Sequence, residues 1–300
     1  MTAQEAQHLV HQSVQQLLDD PEQWRQWATT LSRFHRYSAG NVFLIMAQRP
    51  DATMVAGYHA WQQLGRQVRK GERGITILAP LIKRQPVEDT AHDAESSGPS
   101  KPVLVGFRAA TVFDVSQTTG RELPIPQPQL LSGDTLQDVL AHIIAQAVPV
   151  PVQFAPSVAL DGANGVWNPR DQAITLATDR DPNQQLKTLL HEWAHSLGVP
   201  DVAAAQHRHV GQEEIVAETT AFVVAQRLGL DTTDYSLPYV GSWAQGDPQK
   251  VRALTQHVVE RVQALSVVLD QAAQRDPVIA AALGGLAPAG TAADADREPG

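Results

Sequence analysis

The chain of 300 residues contains no cysteine and only three methionines. Without cysteine it can form neither a disulfide framework nor a thiolate zinc site, and catalysis by a cysteine nucleophile is excluded. No apolar run is long enough to cross a bilayer, since residues 40–48 supply only about half of the ~20 residues that a spanning helix needs. The N-terminus also lacks a basic stretch followed by an apolar block, so we expect a cytoplasmic protein with no membrane partner.

Acidic residues outnumber basic ones over the whole chain, but the two signs are unevenly distributed. The formal net charge is −9. Between Arg25 and Arg84 there are ten basic and two acidic residues, a local charge of +8, which leaves −17 for the remainder. The sequence therefore predicts a cationic module joined to an acidic one.

The pattern of apolar residues indicates a mixed α+β fold. Outside the motif segments described below, helical spacing occurs in residues 4–18, 21–35, 39–48, 135–147 and 248–273, with a short helix around Trp61. Strand patterns occur in three segments of the first half, residues 75–80, 103–107 and 110–115. Both kinds of element therefore occur before residue 125, whereas helices dominate the end of the chain.

Polar and proline-rich segments mark the organisation of the chain. Residues 85–102 are too polar to bury much apolar surface, and we expect them to form a mobile loop. The proline-rich residues 123–128 are typical of a semi-stiff linker. We therefore predict two domains, an N-terminal α+β module over residues 1–125 and a second domain over residues 134–285, followed by a disordered tail.

The segment from His191 to His195 places two imidazoles four residues apart, with the carboxylate of Glu192 beside the first. On an α-helix these side chains share a face, so both rings can hold one zinc ion while Glu192 reaches a water bound to it. Asp181 and Pro182 favour a helix here, because they form a typical cap and first turn. On an ordinary amphipathic helix the same histidines would be hydrogen-bonded core or surface residues.

Two positions compete for the third metal ligand. Asp201 has the spacing of a metzincin-like signature, but such families carry a methionine turn beneath the metal, and all methionines here lie far upstream. Alternatively, a second helix over residues 213–229 supplies a glutamate, as in gluzincins. Glu214 and Glu218 share one face of that helix. We predict Glu214 as the ligand and Glu218 as the acceptor for the free N–H of a ligating histidine, and the reverse assignment stays open.

Three protein ligands, His191, His195 and Glu214, would leave one position of a single zinc ion open for water. Glu192 would then be the general base that takes a proton from this water and passes it to a leaving amine. Residues 164–176 are typical of two strands around a turn, and such an edge strand can hold an extended peptide by backbone pairing. The pattern predicts a zincin-like peptidase domain, with the identity of its peptide substrate left open.

Aromatic residues alternate with positive charge along the N-terminal module. Exposed rings on which bases stack, next to Arg and Lys that meet phosphates, are typical of proteins that bind single-stranded DNA. Most of these rings must nevertheless lie in the core, because so small a domain needs them for packing. We predict that single-stranded DNA is contacted by six residues, Arg36, Asn41, Arg66, Arg69, Lys70 and Arg73.

Five short motifs spread over both halves carry a family resemblance. They are YSAGNVFLI at residues 37–45, LGRQVRKGE at 64–72, VFDV at 112–115, HEWAH at 191–195 and EIVAE at 214–218. These motifs resemble those of the ArdC-type antirestriction family, and the resemblance covers nearly the whole chain. It implies a domain that binds single-stranded DNA followed by a zincin-like metallopeptidase domain, in a mobile-element protein that protects incoming DNA from host restriction.

Two other functions are compatible with the same residues. The chain could be a DNA-binding protein that masks DNA and whose metal site is structural or vestigial. It could instead be a peptidase that cleaves a DNA-associated regulator and uses the first domain as a tether. These functions differ in whether Glu192 is needed for protection.

Overall fold

The computed structural model describes residues 1–86, 100–123, 131, 133–198, 210–233, 235 and 237–284. The helices are α1 (Ala3–Asp19), α2 (Pro21–Arg33), α3 (Ala39–Gln48), α4 (Tyr58–Gln63), α5 (Asp134–Gln146), α6 (Pro182–Ser196), α7 (Val210–Arg227), α8 (Val240–Ala244), α9 (Pro248–Ala273) and α10 (Pro277–Ala282). The strands are β1 (Val55–Gly57), β2 (Arg66–Val68), β3 (Ile75–Pro86), β4 (Ser100–Asp114), β5 (Thr118–Gly120), β6 (Val152–Ala155), β7 (Gly165–Asn168) and β8 (Ala173–Ala177). The mixed α+β character is confirmed.

The N-terminal helices begin where side chains satisfy the free backbone N–H groups of the first turn. Thr2 accepts a hydrogen bond from the N–H of Glu5 at 3.2 Å, and the Glu5 carboxylate accepts one from the N–H of Thr2 at 2.7 Å. Asp20 and Ser38 cap α2 and α3 in a similar way. Because the caps are encoded locally, the predicted bounds of these three helices lie within two residues of the observed ones.

Strands β3 and β4 form a long antiparallel hairpin, to which β1 adds on the other side of β4. The register pairs Ile75 with Val112 at the base of the hairpin and Pro86 with Ser100 at its far end, with a β-bulge in between. Both strands therefore extend into the segment 85–102, which the sequence predicts to be a loop. The rest of that segment lies outside the described residues.

The second sheet has the strand order β6-β8-β7, with β6 parallel and β7 antiparallel to β8. The two strands predicted for residues 164–176 are thus confirmed, and β7 lies at the edge of the sheet. Helix α6 packs against β7 and β8 on one side and against α7 on the other. This packing places the helix that carries the two histidines next to the edge strand of the sheet.

Helix α9 is the longest helix, with 26 residues. Its apolar side chains recur every three or four positions and are buried, whereas the positions between them face water. It is therefore an amphipathic helix of a packed core. Among the residues that the structure describes, no helix combines the length and the apolar character needed to cross a bilayer.

Helices of the N-terminal module pack directly against helices of the second half. Helix α2 lies against α7, and α1 contacts both α8 and α9. The indole Nε1 of Trp24 donates a hydrogen bond to Thr219 Oγ1 at 3.2 Å, and the Arg25 guanidinium lies 5.4 Å from the ring centroid of Phe222. Buried apolar residues from both halves form one continuous cluster. The division into two separate domains stays a prediction.

Candidate metal centre

Helix α6 turns its polar face towards a cleft because its apolar face is buried. Asp181 caps the first turn through a hydrogen bond of 3.0 Å, and Pro182 occupies the first helical position. The apolar face is buried through Leu186, Leu189, Leu190 and Trp193. His191, Glu192 and His195 lie on the remaining face and are only partly covered. The local sequence thus dictates which side chains are available for chemistry.

The two imidazoles of α6 meet the carboxylate of Glu214 on α7. The Nε2 atoms of His191 and His195 are 3.1 Å apart, and the Glu214 oxygens lie 3.3 Å from His195 Nε2 and 3.6 Å from His191 Nε2. Ligands arranged tetrahedrally at about 2.1 Å from zinc stand roughly 3.4 Å from one another. Each imidazole Nε2 therefore lies at about ligand spacing from the other and from one oxygen of Glu214, and two imidazoles with one carboxylate suit a divalent ion such as zinc.

Glu218, one turn beyond Glu214, lies against the other nitrogen of the His191 ring. Its Oε2 is 2.9 Å from His191 Nδ1, a position from which a carboxylate can fix the orientation of a ligating imidazole. Burial disfavours the charged form of His191, but the carboxylates of Glu214 and Glu218 raise its pKa to about 10. The same contacts with the two imidazoles lower the pKa of Glu214. The ligand assignment stays a prediction, and the competing Asp201 lies outside the described residues.

The carboxylate of Glu192 is held by the edge strand β7. The backbone N–H of Trp167 donates a hydrogen bond to Glu192 Oε2 at 2.7 Å. This close approach of strand and helix depends on Gly165, because a Cβ there would lie 2.6 Å from Thr188 Cγ2 and 2.9 Å from the backbone oxygen of Thr175. With one oxygen held in this way, the other oxygen of Glu192 can receive a proton from a water in the cleft.

A cleft of about 400 Å³ opens beside His191 and Glu192. Its other lining residues are Asn164, Gly165, Gln184, Lys187, Thr188, Glu218 and Tyr235. No sequence pattern predicted a role for Gln184, Lys187 or Thr188. Helical spacing could have predicted two of them, because Gln184 and Thr188 precede His191 on the same helix by two turns and one turn. Burial raises the pKa of Tyr235, so its hydroxyl stays a hydrogen-bond donor at the edge of the cleft.

Two of the six residues predicted to contact DNA are engaged within the protein. The amide of Asn41 donates to the backbone oxygen of Leu78 at 3.0 Å and accepts from its N–H at 2.8 Å, which fastens α3 to β3. The guanidinium of Arg66 donates to the hydroxyl of Thr118 at 2.7 Å, to its backbone oxygen at 3.1 Å, and to the backbone oxygen of Arg121. Both side chains thus fix the fold of the module.

The other four predicted DNA contacts are at the surface. Arg36 lies 3.3 Å from Asp270, and Arg69 pairs with Glu72 at 2.5 Å. Two further cations, Lys70 and Arg73, are exposed and have no ion-pair partner among the residues that the structure describes. Of the six predicted DNA contacts, these two side chains are therefore the most available to bind phosphates.

Tyr58 is the one exposed ring among the aromatic residues from Trp24 to Trp61. It is 40% exposed and borders a groove of about 580 Å³ together with Arg69 and Lys70. The other rings in this stretch are buried, as predicted, and they are Trp24, Trp27, Phe34, Tyr37, Phe43 and Trp61. The groove therefore combines one stacking platform with positive charge.

The far half of the β3–β4 hairpin exposes apolar side chains next to cations. Ile82 and Leu104 are cross-strand partners and are 60% and 56% exposed, and Phe107 is 46% exposed. Exposed Lys83 and Arg84 follow Ile82 directly, and residues 75–86 and 100–113 of the hairpin contain no acidic residue. The sequence pattern did not predict this surface, because residues 85–102 have the composition of a loop and the pairing of the two strands depends on long-range contacts.

Comparison with known proteins finds a family similarity in the first part of the chain. Residues 3–113 match the family model of the N-terminal domain of anti-restriction factor ArdC. This first part of the chain is therefore similar to the N-terminal domain of ArdC. The metal-free crystal structure of the antirestriction ArdC protein from the R388 plasmid has a similar fold, with a TM-score of 0.51 and 19% identity over 79% of this chain and 84% of that chain.

Two relatives of the chain are uncharacterized proteins. One, from Bacillus anthracis, is 26% identical over 259 residues, which cover 76% of this chain but 44% of the relative. The other, protein y4eC from Sinorhizobium fredii, is 24% identical over 245 residues, which cover 73% of each chain. The chain thus spans less than half the length of the Bacillus anthracis protein.

Proposed function

We propose that this chain is an ArdC-type antirestriction protein that binds single-stranded DNA and carries a zinc metallopeptidase-like site. The proposal rests on the cluster of His191, His195 and Glu214, whose donor atoms have ligand spacing, beside the carboxylate of Glu192 held by an edge strand. A zincin-like site needs these parts together, namely converging helices that hold one ion, a base, and a strand edge for an extended substrate.

The residues of the cleft have different roles in the proposed peptide hydrolysis. A zinc ion held by His191, His195 and Glu214 would polarise a carbonyl and lower the pKa of a water bound to it. Glu192 takes a proton from water in the cleft and passes it to the leaving amine. The outer edge of β7 pairs with an extended peptide, and the N–H of Trp167 keeps Glu192 in position.

Metal analysis of purified protein tests the ligand set. We expect about one zinc per chain in the wild type and loss of most of it in Glu214→Gln. Glu218→Gln should keep the ion but bind it about ten- to a hundredfold more weakly, because only the support of His191 is lost. Full occupancy in Glu214→Gln would refute the assignment, and loss of zinc in Asp201→Asn would favour the metzincin-like alternative.

Glu192→Ala separates catalysis from binding. The variant should retain zinc and affinity for DNA, since Glu192 neither ligates the ion nor lies in the N-terminal module. If it loses protection of incoming DNA in cells, the peptidase chemistry is required. If it protects as well as the wild type, the chain is a DNA-masking protein whose metal site is structural or vestigial.

The DNA-binding part of the proposal rests on the groove at Tyr58 and on the far half of the hairpin. Phe113 lines the groove and belongs to β4, so the groove lies at the base of the hairpin. A single strand can therefore pass from one surface to the other, with bases stacked on Tyr58 and Phe107 and phosphates bound by the cations nearby. The excess of positive charge between Arg25 and Arg84 supports the same placement.

Fluorescence anisotropy with a labelled oligothymidine tests the hairpin. Removing the charges of Lys83 and Arg84 by Ala substitution should weaken binding, and should flatten the plot of log affinity against log salt by about 1.4, or 0.7 per lost phosphate contact. Replacing Lys250 and Arg252, exposed on α9, makes the same charge change as a control. Equal effects of the two double variants would show that only net charge matters and would refute the hairpin as a DNA-binding surface.

A further inference from the structure

Glu213 precedes the proposed ligand Glu214 on α7 but contacts a different neighbour. Nη2 of Arg261, on α9, donates a hydrogen bond to Glu213 Oε2 at 2.5 Å. The side chains of Arg261 and Glu213 are only 9% and 26% exposed, so the pair is largely shielded from water. A charge-assisted hydrogen bond in such surroundings is strong and directional, so it can fix the rotation of the helix that carries it.

The Arg261 guanidinium lies across the end of the helix that carries the histidines. A Cβ at Gly198, three residues after His195, would lie 2.4 Å from Arg261 Nη2 and 2.9 Å from Glu213 Oε2. Because glycine has no Cβ, the ion pair can occupy this space. The end of α6, the first turn of α7 and the middle of α9 meet at this one contact.

We propose that Arg261 is a positioning residue for the metal site. Through Glu213 it fixes the start of α7 against the end of α6, and so holds the Glu214 carboxylate within reach of both imidazoles. Such a tie is needed because α7 begins at Val210, only four residues before Glu214, and helix ends fray. The inference rests on the proposed metal site and concerns how its third ligand is placed.

A purely electrostatic role of Arg261 leads to different expectations. If the pair acted only through charge, Arg261→Met would strengthen cation binding and Glu213→Gln would weaken it. Changes that leave the charge intact would then have no effect. Positioning instead requires that every change that separates the two side chains weakens metal binding, whatever its effect on charge.

Two variants that keep all charges test this difference. Arg261→Lys replaces the planar guanidinium by an ammonium that cannot span the same distance in the same geometry. Gly198→Ala adds a methyl group where Nη2 lies, at a backbone conformation that alanine tolerates. Zinc dissociation constants, measured by competition with a chromophoric chelator, should rise about ten- to a hundredfold in both. The visible spectrum of the cobalt-loaded protein should also change, since it reports on the number of ligands.

Arg227→Lys is the matched control. Arg227 lies at the other end of α7, pairs with Asp270 of α9 at 2.9 Å, and has the same 9% side-chain exposure as Arg261. Zinc affinity and the cobalt spectrum should be unchanged in this variant. An equal loss of zinc affinity would mean that any ion pair between α7 and α9 supports the metal site, and would refute the specific role of Arg261.

The remaining outcomes separate this inference from the proposed function. A wild type that binds neither zinc nor cobalt would remove the metal site itself. A wild type that binds zinc, with Arg261→Lys and Gly198→Ala binding equally well and giving the same cobalt spectrum, would refute the positioning role. If Arg261→Lys does not fold, as judged by circular dichroism of the metal-free protein, Gly198→Ala decides, because it changes no ionisable group.

Discussion

Among single residues, the contact between His191 and Glu218 links stability most directly to pH. The carboxylate of Glu218 lies 2.9 Å from His191 Nδ1 and raises the pKa of this histidine. Glu218→Gln removes this carboxylate. A raised histidine pKa adds stability that is complete below the unfolded value of about 6.5. That stability is lost as the pH rises through about 10. Metal-free Glu218→Gln should therefore melt below the wild type near neutral pH, with a gap that closes above pH ~10.

Thermal melts in the presence of a chelator measure this gap. Glu260→Gln provides the control, because Glu260 is exposed on α9 and its removal should leave the melting temperature nearly unchanged across the same pH range. A gap for Glu218→Gln that stayed constant with pH would mean that the carboxylate acts through shape and packing, and not through the charge on His191.

The roles of single polar residues were predictable only where their partners are close in sequence. The two histidines and Glu192 share one helical face, so their proximity follows from helical periodicity alone. The amide of Asn41, a predicted DNA contact, also fastens α3 to Leu78, which lies 37 positions away on a strand. The contact of Arg261 with Glu213 spans 48 positions. No local sequence pattern predicts such contacts, because they depend on which elements the fold brings together.

At the level of secondary-structure elements, the junction of β7 with α6 depends on Gly165. A Cβ at this position would lie 2.6 Å from Thr188 Cγ2, closer than real side chains approach, so Gly165→Ala must push the strand away from the helix. We expect a loss of about 1 to 3 kcal/mol in the free energy of unfolding, measured with urea. The displacement should also lengthen the hydrogen bond from Trp167 to Glu192.

Gly57→Ala is the control for this prediction. A Cβ at Gly57, at the end of β1, would have no heavy atom within 4 Å, so the substitution should change stability by no more than about 0.5 kcal/mol. Similar losses at both glycines would indicate a general cost of replacing glycine in strands and would contradict the close approach at Gly165.

Capped helices and paired strands differ in how far the sequence determines them. Helices α2, α3, α6 and α9 start at a capping residue, three of them with proline in the first turn, and their starts could be predicted from local chemistry. The hairpin could not, because its far end pairs Pro86 with Ser100 through long-range contacts. Its exposed apolar surface was missed for the same reason.

Over the whole molecule, the two halves share more contacts than the linker-like residues 123–128 suggest. Besides the hydrogen bond of Trp24 to Thr219, the hydroxyl of Tyr239 donates to the backbone oxygen of Leu18 at 2.9 Å. The uneven charge distribution of the sequence is therefore a property of the surface, whereas the two halves share one core. In this arrangement, the helix that carries the proposed ligand Glu214 is packed against the module that is proposed to bind DNA.

We predict that the two halves unfold as one cooperative unit. Trp61 lies wholly within the N-terminal half, where it is fully buried and its Nε1 donates to the backbone oxygen of Phe113 at 2.9 Å. Trp61→Phe should therefore lower the protection of amides in α3 and in α9 by the same free energy, since both depend on one global opening. Hydrogen exchange followed by mass spectrometry at low urea concentrations measures both helices in a single sample. Unchanged protection of α9 would show that the halves are independent domains, divided as predicted between residues 125 and 134.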